Sequence, residues 1–117
     1  MILDEIKQKL EEIDPNVFYG AVDPRMRETM WNYIVFNRGA LRRNANKTGF
    51  TRTYSVHIIR EDFIPDGLEL EVINKMQEIE GMRLADSDGS YTYVPKPNTN
   101  HIVEMFSVDF VKPVKAV

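Results

Sequence analysis

The chain has 117 residues, 43% hydrophobic and 28% charged, which suits one globular domain with a single core. Its formal net charge of -3 excludes a strong general attraction to nucleic acid or to an anionic membrane, and the lack of cysteine excludes disulfides and thiolate metal sites while fitting a reducing cytosol. No apolar run approaches the roughly 20 residues that cross a bilayer, and the opening residues, Met1-Ile-Leu-Asp-Glu-Ile-Lys7, lack the basic flank and apolar stretch of a secretion signal.

Residues 2–13 read as an amphipathic helix, because Leu3, Ile6, Leu10 and Ile13 recur at helical spacing and form one stripe. Asp4 and Glu5 suit its N-terminus, and Glu5 with Lys9, or Lys7 with Glu11, are spaced to pair on the exposed side. Asp14-Pro15 stops it. Residues 17–22 are a short apolar strand in which Gly20 suggests a bulge or a close backbone approach. Asp23-Pro24 opens a turn, and residues 25–30 fit a loop or one helical turn. Residues 31–36 carry large apolar groups on both faces: Trp31, Tyr33 and Val35 on one, Ile34 and Phe36 on the other. Such a strand is either central in a layered fold or open on one side to a partner. Residues 37–49 read as a long basic loop with Arg38, Arg42, Arg43 and Lys47, Arg52 just beyond, and no acidic residue. Residues 50–60 alternate. Phe50, Tyr54, Val56 and Ile58 face one way, and Thr51, Thr53, Ser55 and His57 the other, as in a half-buried strand.

Asp66 with Glu69 makes a capping-box pattern ahead of a second helix, whose apolar stripe is Val72, Ile73, Met76 and Ile79. Glu71 and Lys75 are spaced to pair along it, and Gly81 sits where a C-terminal cap is expected. Residues 82–85 and 91–94 read as the two strands of a hairpin, with Gly89 supplying a positive φ in the turn between them. After a polar connection, residues 101–112 form a long alternating strand that places Ile102, Phe106, Val108 and Phe110 on one face and Val103, Met105, Ser107, Asp109 and Val111 on the other. Pro113 ends it, leaving residues 113–117 as a loose tail. The expected fold is a single α+β domain over residues 1–117, in the order α-β-β-β-α-β-β-β. Its sheet is mostly antiparallel, with both helices packed on one face. The other face then lacks a lid, and Trp31, Tyr33, Val35 and Met105 are the expected subunit-interface residues.

Chemistry-bearing patterns are sparse. His57 and His101 each stand alone on a strand, without the local spacing of a zinc site. Asp86-Ser-Asp-Gly89 resembles the start of a calcium loop, but the glycine comes too early and position twelve is Pro97, so it reads as a turn. No nucleophile elbow and no glycine-rich phosphate loop occurs. The expectation is no enzyme, no metal and no cofactor. The basic segment is the surface feature above background. Its plainest reading is a solvated loop. Its functional reading is contact with an acidic partner, a neighbouring subunit or a phosphate backbone, with Phe50 and Tyr54 close enough to stack on bases.

The N-terminal helix, then Phe18-Tyr-Gly20, Pro24, Asn32-Tyr-Ile-Val-Phe36, the long connection, the alternating strand to Arg60, a helix ending Glu78-Ile-Glu-Gly-Met82 and the long closing strand together resemble the tail terminator (tail completion or head–tail joining) proteins of long-tailed bacteriophages and prophages. The resemblance spans nearly the whole chain and lies in element order and short apolar motifs. It implies a structural subunit that assembles into a homo-oligomeric ring, typically a hexamer. The ring caps the tail tube and docks to the head connector or neck proteins. It implies residence in the virion tail or neck, with assembly in the bacterial cytoplasm, and DNA passing through without sequence-specific binding. Arg42, Arg43 and Lys47 are then expected to face a protein partner or the outer rim, since a basic lumen would hold the DNA. The alternative from a different class is a small nucleic-acid-binding or regulatory domain using the basic residues of segment 38–52.

Overall fold

The computed structural model describes residues 1–22, 31–44 and 49–115. The turn expected at Asp23-Pro24, the segment 25–30 and Lys47 lie outside the described residues. In chain order the elements are α1 (Ile2–Glu11), β1 (Val17–Tyr19), β2 (Tyr33–Arg43), β3 (Gly49–Glu61), α2 (Leu68–Gln77), β4 (Arg83–Leu84), β5 (Ser90–Pro95) and β6 (Ile102–Lys115). This is an α+β fold. β1 runs parallel to β2, β2–β3 and β3–β6 are antiparallel, and β4 and β5 both lie antiparallel on the far edge of β6.

The helices share one face of the sheet because their stripes find the even-numbered strand residues. Ile6 and Leu10 from α1 and Val72 and Met76 from α2 are buried against Ile34, Phe36, Tyr54, Val56, Ile58, Phe106, Val108 and Phe110. Full burial of each such side chain stabilises by about 1.5–3 kcal/mol. The expected pairs along each helix are replaced by pairs between helices: Lys9 reaches Glu78 at 2.9 Å and Lys75 reaches Glu12 at 3.2 Å. The helices lie side by side, so a neighbour's carboxylate is as near as one in the next turn.

Several expectations are corrected. Residues 37–43 are not a loop: β2 runs to Arg43 and pairs with β3 as far as Arg43↔Phe50. Backbone ladders form whatever the side chains are, and β3 extends far enough to supply partners. Residues 113–115 are not a loose tail, since β6 pairs with β3 out to Gly49↔Lys115. Pro113 is tolerated because β4 ends opposite Val111, leaving β6 a strand with one neighbour at that point. β4 and β5 do not form a hairpin with each other. They lie end to end along β6, and the true hairpin is β5–β6, closed by Lys96 N–H donating to the His101 carbonyl at 3.0 Å.

Two glycines explain the local geometry. Gly89 does not have a positive φ; a Cβ there would stand 2.5 Å from Phe106 Cζ, so the residue is needed for close approach of the chain to a core ring. Gly67, at φ +93, is the N-cap of α2, and no side chain caps the helix. The capping box is not made: Asp66 stands one residue too early, and Glu69 instead accepts from the Tyr91 hydroxyl. α2 is capped at Glu78 in right-handed geometry, three residues before Gly81.

Candidate interaction face

Alternation along β2, β3 and β6 turns Tyr33, Val35, His57, Ile59, Val103 and Met105 to the face without helices. There Val22, Val35, Ile59 and Val103 are buried as a second apolar cluster, flanked by half-buried Phe18, Trp31, Tyr33 and Met105. The sheet is thus apolar on both sides, as the residues at 31–36 suggested. Phe18 meets Tyr33 edge-on, with ring centroids 6.1 Å apart. Gly20, Ala21, Val22, Tyr33, Met105 and His57 rim an open cavity of about 350 Å³ with Val35 and Ile59 in its lining. Val35, 9% exposed, lies at the floor of this cavity. Trp31, Tyr33 and Met105 keep part of their surface open.

Trp31 Nε1 is buried and, among the described residues, has no hydrogen-bond partner. Its ring lies 5.7 Å from Lys96 Nζ, which is held at 3.0 Å by Glu61. A cation over an indole face is attractive.

Beyond the cavity the face turns polar. His57 Nδ1 lies 2.7 Å from Ser107 Oγ and its Nε2 lies 3.0 Å from Asn37 Oδ1. Asn37 Nδ2 donates to the Arg38 carbonyl, which turns its Oδ1 toward the histidine. The imidazole therefore donates from Nε2 to Asn37 Oδ1, and in its neutral form accepts a hydrogen bond from the Ser107 hydroxyl at Nδ1. Burial lowers the His57 pKa, against the nearby Asp109 carboxylate, which raises it. Ser55 donates to Asp109 at 2.6 Å. Serine, histidine and asparagine in a row have the connectivity of a nucleophile, base and orienter. Ser107, however, sits mid-strand, paired with His57 on one side and Ser90 on the other, so its flanking amides are spent in the ladder and none is aimed at an oxyanion. The row is better described as a cross-strand polar ladder. Sequence reading missed it because the β3–β6 register, which sets His57 opposite Ser107, is not written in either strand.

The basic residues are not gathered at one spot. β2 gains one residue between Arg38↔Tyr54 and Leu41↔Arg52, a bulge at Gly39 and Ala40. Opposed residues share a face, so Arg38, Arg43 and Arg52 stand on the helix side of the sheet and Arg42 on the other. Arg38 Nε donates to Tyr19 Oη at 3.0 Å. Among the described residues none of these four arginines makes an ion pair.

Among the described residues no group of three or more His, Asp or Glu side chains is placed to hold a metal ion, and no helix is long and apolar enough to cross a membrane. No protein-family model matches the chain, and no curated protein does.

Proposed function

We propose that this chain is a ring-forming structural subunit of the tail-terminator type, which caps a phage tail tube and presents a surface to the head connector. The observation that carries the reading is the second apolar cluster on the helix-free face, with Trp31, Tyr33 and Met105 at its open margin. A chain of this size normally fills one core and leaves its other sheet face polar. An apolar, indented face of this kind suits a neighbour that covers it. In this reading the ring sits in the virion neck, DNA passes through its lumen, and the subunit has no catalytic role. The test is the absolute mass by light scattering over a concentration series, with negative-stain images of large species. Rings, or monomers that convert to rings, are expected, and Trp31→Asp or Tyr33→Asp is expected to give a folded monomer. A variant that still builds full-size rings removes this face from the interface.

The unpaired arginines favour a second reading, a nucleic-acid-binding module. It requires binding that weakens steeply with salt and is lost in Arg42→Ala/Arg43→Ala. Their division between two faces works against it.

A further inference from the structure

Charge is sharply segregated along this molecule. Residues 37–53 and 111–117 hold seven of the fifteen Lys and Arg and none of the eighteen Asp and Glu. The outer parts of β2, β3 and β6 therefore form a cationic arm, and the remaining chain carries eight cations against eighteen acids. The molecule is long enough to hold these apart, with extents of 52 × 25 × 22 Å.

Among the described residues, two of the open strand edges lie on opposite borders of the sheet. β1 covers β2 only as far as Tyr19↔Phe36, so Asn37 to Arg43 has β3 on one side and, among the described residues, nothing on the other. Among the described residues β5 pairs only with β6, and all its residues are exposed, with Tyr91 47% and Tyr93 58% accessible. The first edge is cationic, through Arg38, Arg42 and Arg43. The second is bordered by acids: exposed Asp86 and Asp88 lead into β5, Glu69 accepts from Tyr91, and Glu104 stands opposite Tyr93.

We propose that the β2 edge of the arm in one copy pairs with the acidic β5 edge of the next copy, extending the sheet from subunit to subunit. Unpaired strand edges recruit other strands. A single-sign edge resists its own kind, so β2 does not pair with β2, and β5 likewise avoids β5. What remains is the heterologous contact, which closes into a ring or runs on as a filament. Thr92 lies opposite Met105, so an arm seated on β5 adjoins the apolar face as well. The proposal rests on the ring reading and says which surfaces meet.

The test uses two variants of the full chain, Arg42→Glu/Arg43→Glu on the arm and Asp86→Lys/Asp88→Lys on the edge, with far-UV circular dichroism and thermal midpoints checked against the parent. Each alone is expected to stay monomeric. Mixed in equal amounts, the native arm meets the native edge and the reversed arm meets the reversed edge, so the mixture is expected to recover the assembly that neither variant reaches alone. In the parent, association weakens by roughly tenfold or more between low and high salt. As a second measurement, since the chain has no cysteine, Ala40→Cys in one copy and Thr92→Cys in another should cross-link under oxidation, whereas Ala40→Cys with itself should not. Full-size rings from the arm variant, without the cross-link, overturn this contact and leave the ring reading intact. A parent that is monomeric at every concentration overturns both.

Discussion

Arg60 Nη2 donates to Asp14 Oδ2 at 2.6 Å, and the two side chains are only 14% and 7% exposed. The same guanidinium donates to the Ile59 and Tyr33 carbonyls, at 2.8 and 3.3 Å, and Asp14 also accepts from the Asn16 amide at 2.8 Å. The pair ties the exit of α1 to the end of β3 and to the start of β2. Removing one partner strands a buried charge, so Asp14→Ala should destabilise the fold by about 3 kcal/mol or more in urea denaturation. Asp14→Ala/Arg60→Met should recover part of that loss; a double-variant loss equal to the sum of the two single losses would show the pair is not coupled.

Gly89 is the second point of stress. A methyl group there meets the Phe106 ring, which is 6% exposed and already packed against Tyr91 in a tilted pair, 4.9 Å between centroids. Gly89→Ala should cost about 1–3 kcal/mol through overpacking. Phe106→Leu in that background should restore some of it, although Phe106→Leu alone is destabilising. Additive effects would mean that the two residues do not clash.

His57 should give the fold a pH dependence. Burial lowers its pKa from 6.5, so in the interval below 6.5 the unfolded chain binds more protons than the folded one. Stability is then fully present above 6.5 and falls as pH drops toward the lowered folded value. His57→Gln should flatten this slope in urea midpoints measured across that range. A slope that survives unchanged belongs to another group.

Tyr91 should titrate late. Its hydrogen bond to Glu69 holds the pKa at about 12, above the ordinary 10. A raised folded value means that the contribution is present below pH 10 and is lost as pH rises toward 12. In an ultraviolet difference titration Glu69→Gln should move one tyrosine back toward 10. An unchanged curve would place the bond outside the solution structure.

Trp31 is the only tryptophan, which makes it a reporter of assembly. If the helix-free face is covered in the ring, its emission should shift to shorter wavelength over the same concentrations at which the mass rises. A rise in mass at constant emission would put the contact elsewhere.

The fold class was legible because apolar spacing is a local property. The stripes of Ile6 with Leu10 and Val72 with Met76, and the alternation from Tyr54 to Ile58, need no knowledge of partners. Apolar residues on both faces at 33–36 likewise announced the second cluster. What depended on register was not legible. The bulge at Gly39 and Ala40 divides the arginines between faces, and Val22, from the exit of another strand, joins Val35 in the second cluster. Length misled in one place: charged residues 37–43 carry no alternation, yet their backbone is held by β3. A short strand, turn and strand at 82–94 has the pattern of a hairpin whether its halves pair with each other or with β6.

β6 is the last of the described strands in sequence and lies inside the sheet, between β3 and the β4–β5 border. Its partners in β3 precede it by 42 residues at Glu61↔Val103 and by 66 at Gly49↔Lys115. During synthesis the helix-covered core cannot close until this strand arrives, because Phe106, Val108 and Phe110 are missing from it. Until then β3 keeps a bare flank of thirteen residues, and contacts so distant in sequence form slowly. The newborn chain is therefore at greatest risk of pairing with the wrong strand just before β6 docks, and both the cationic arm and the acidic border exist as shaped surfaces only after β6 is in place. If copies pair as proposed, folding gates that association: the pairing edges take shape only once β6 has docked.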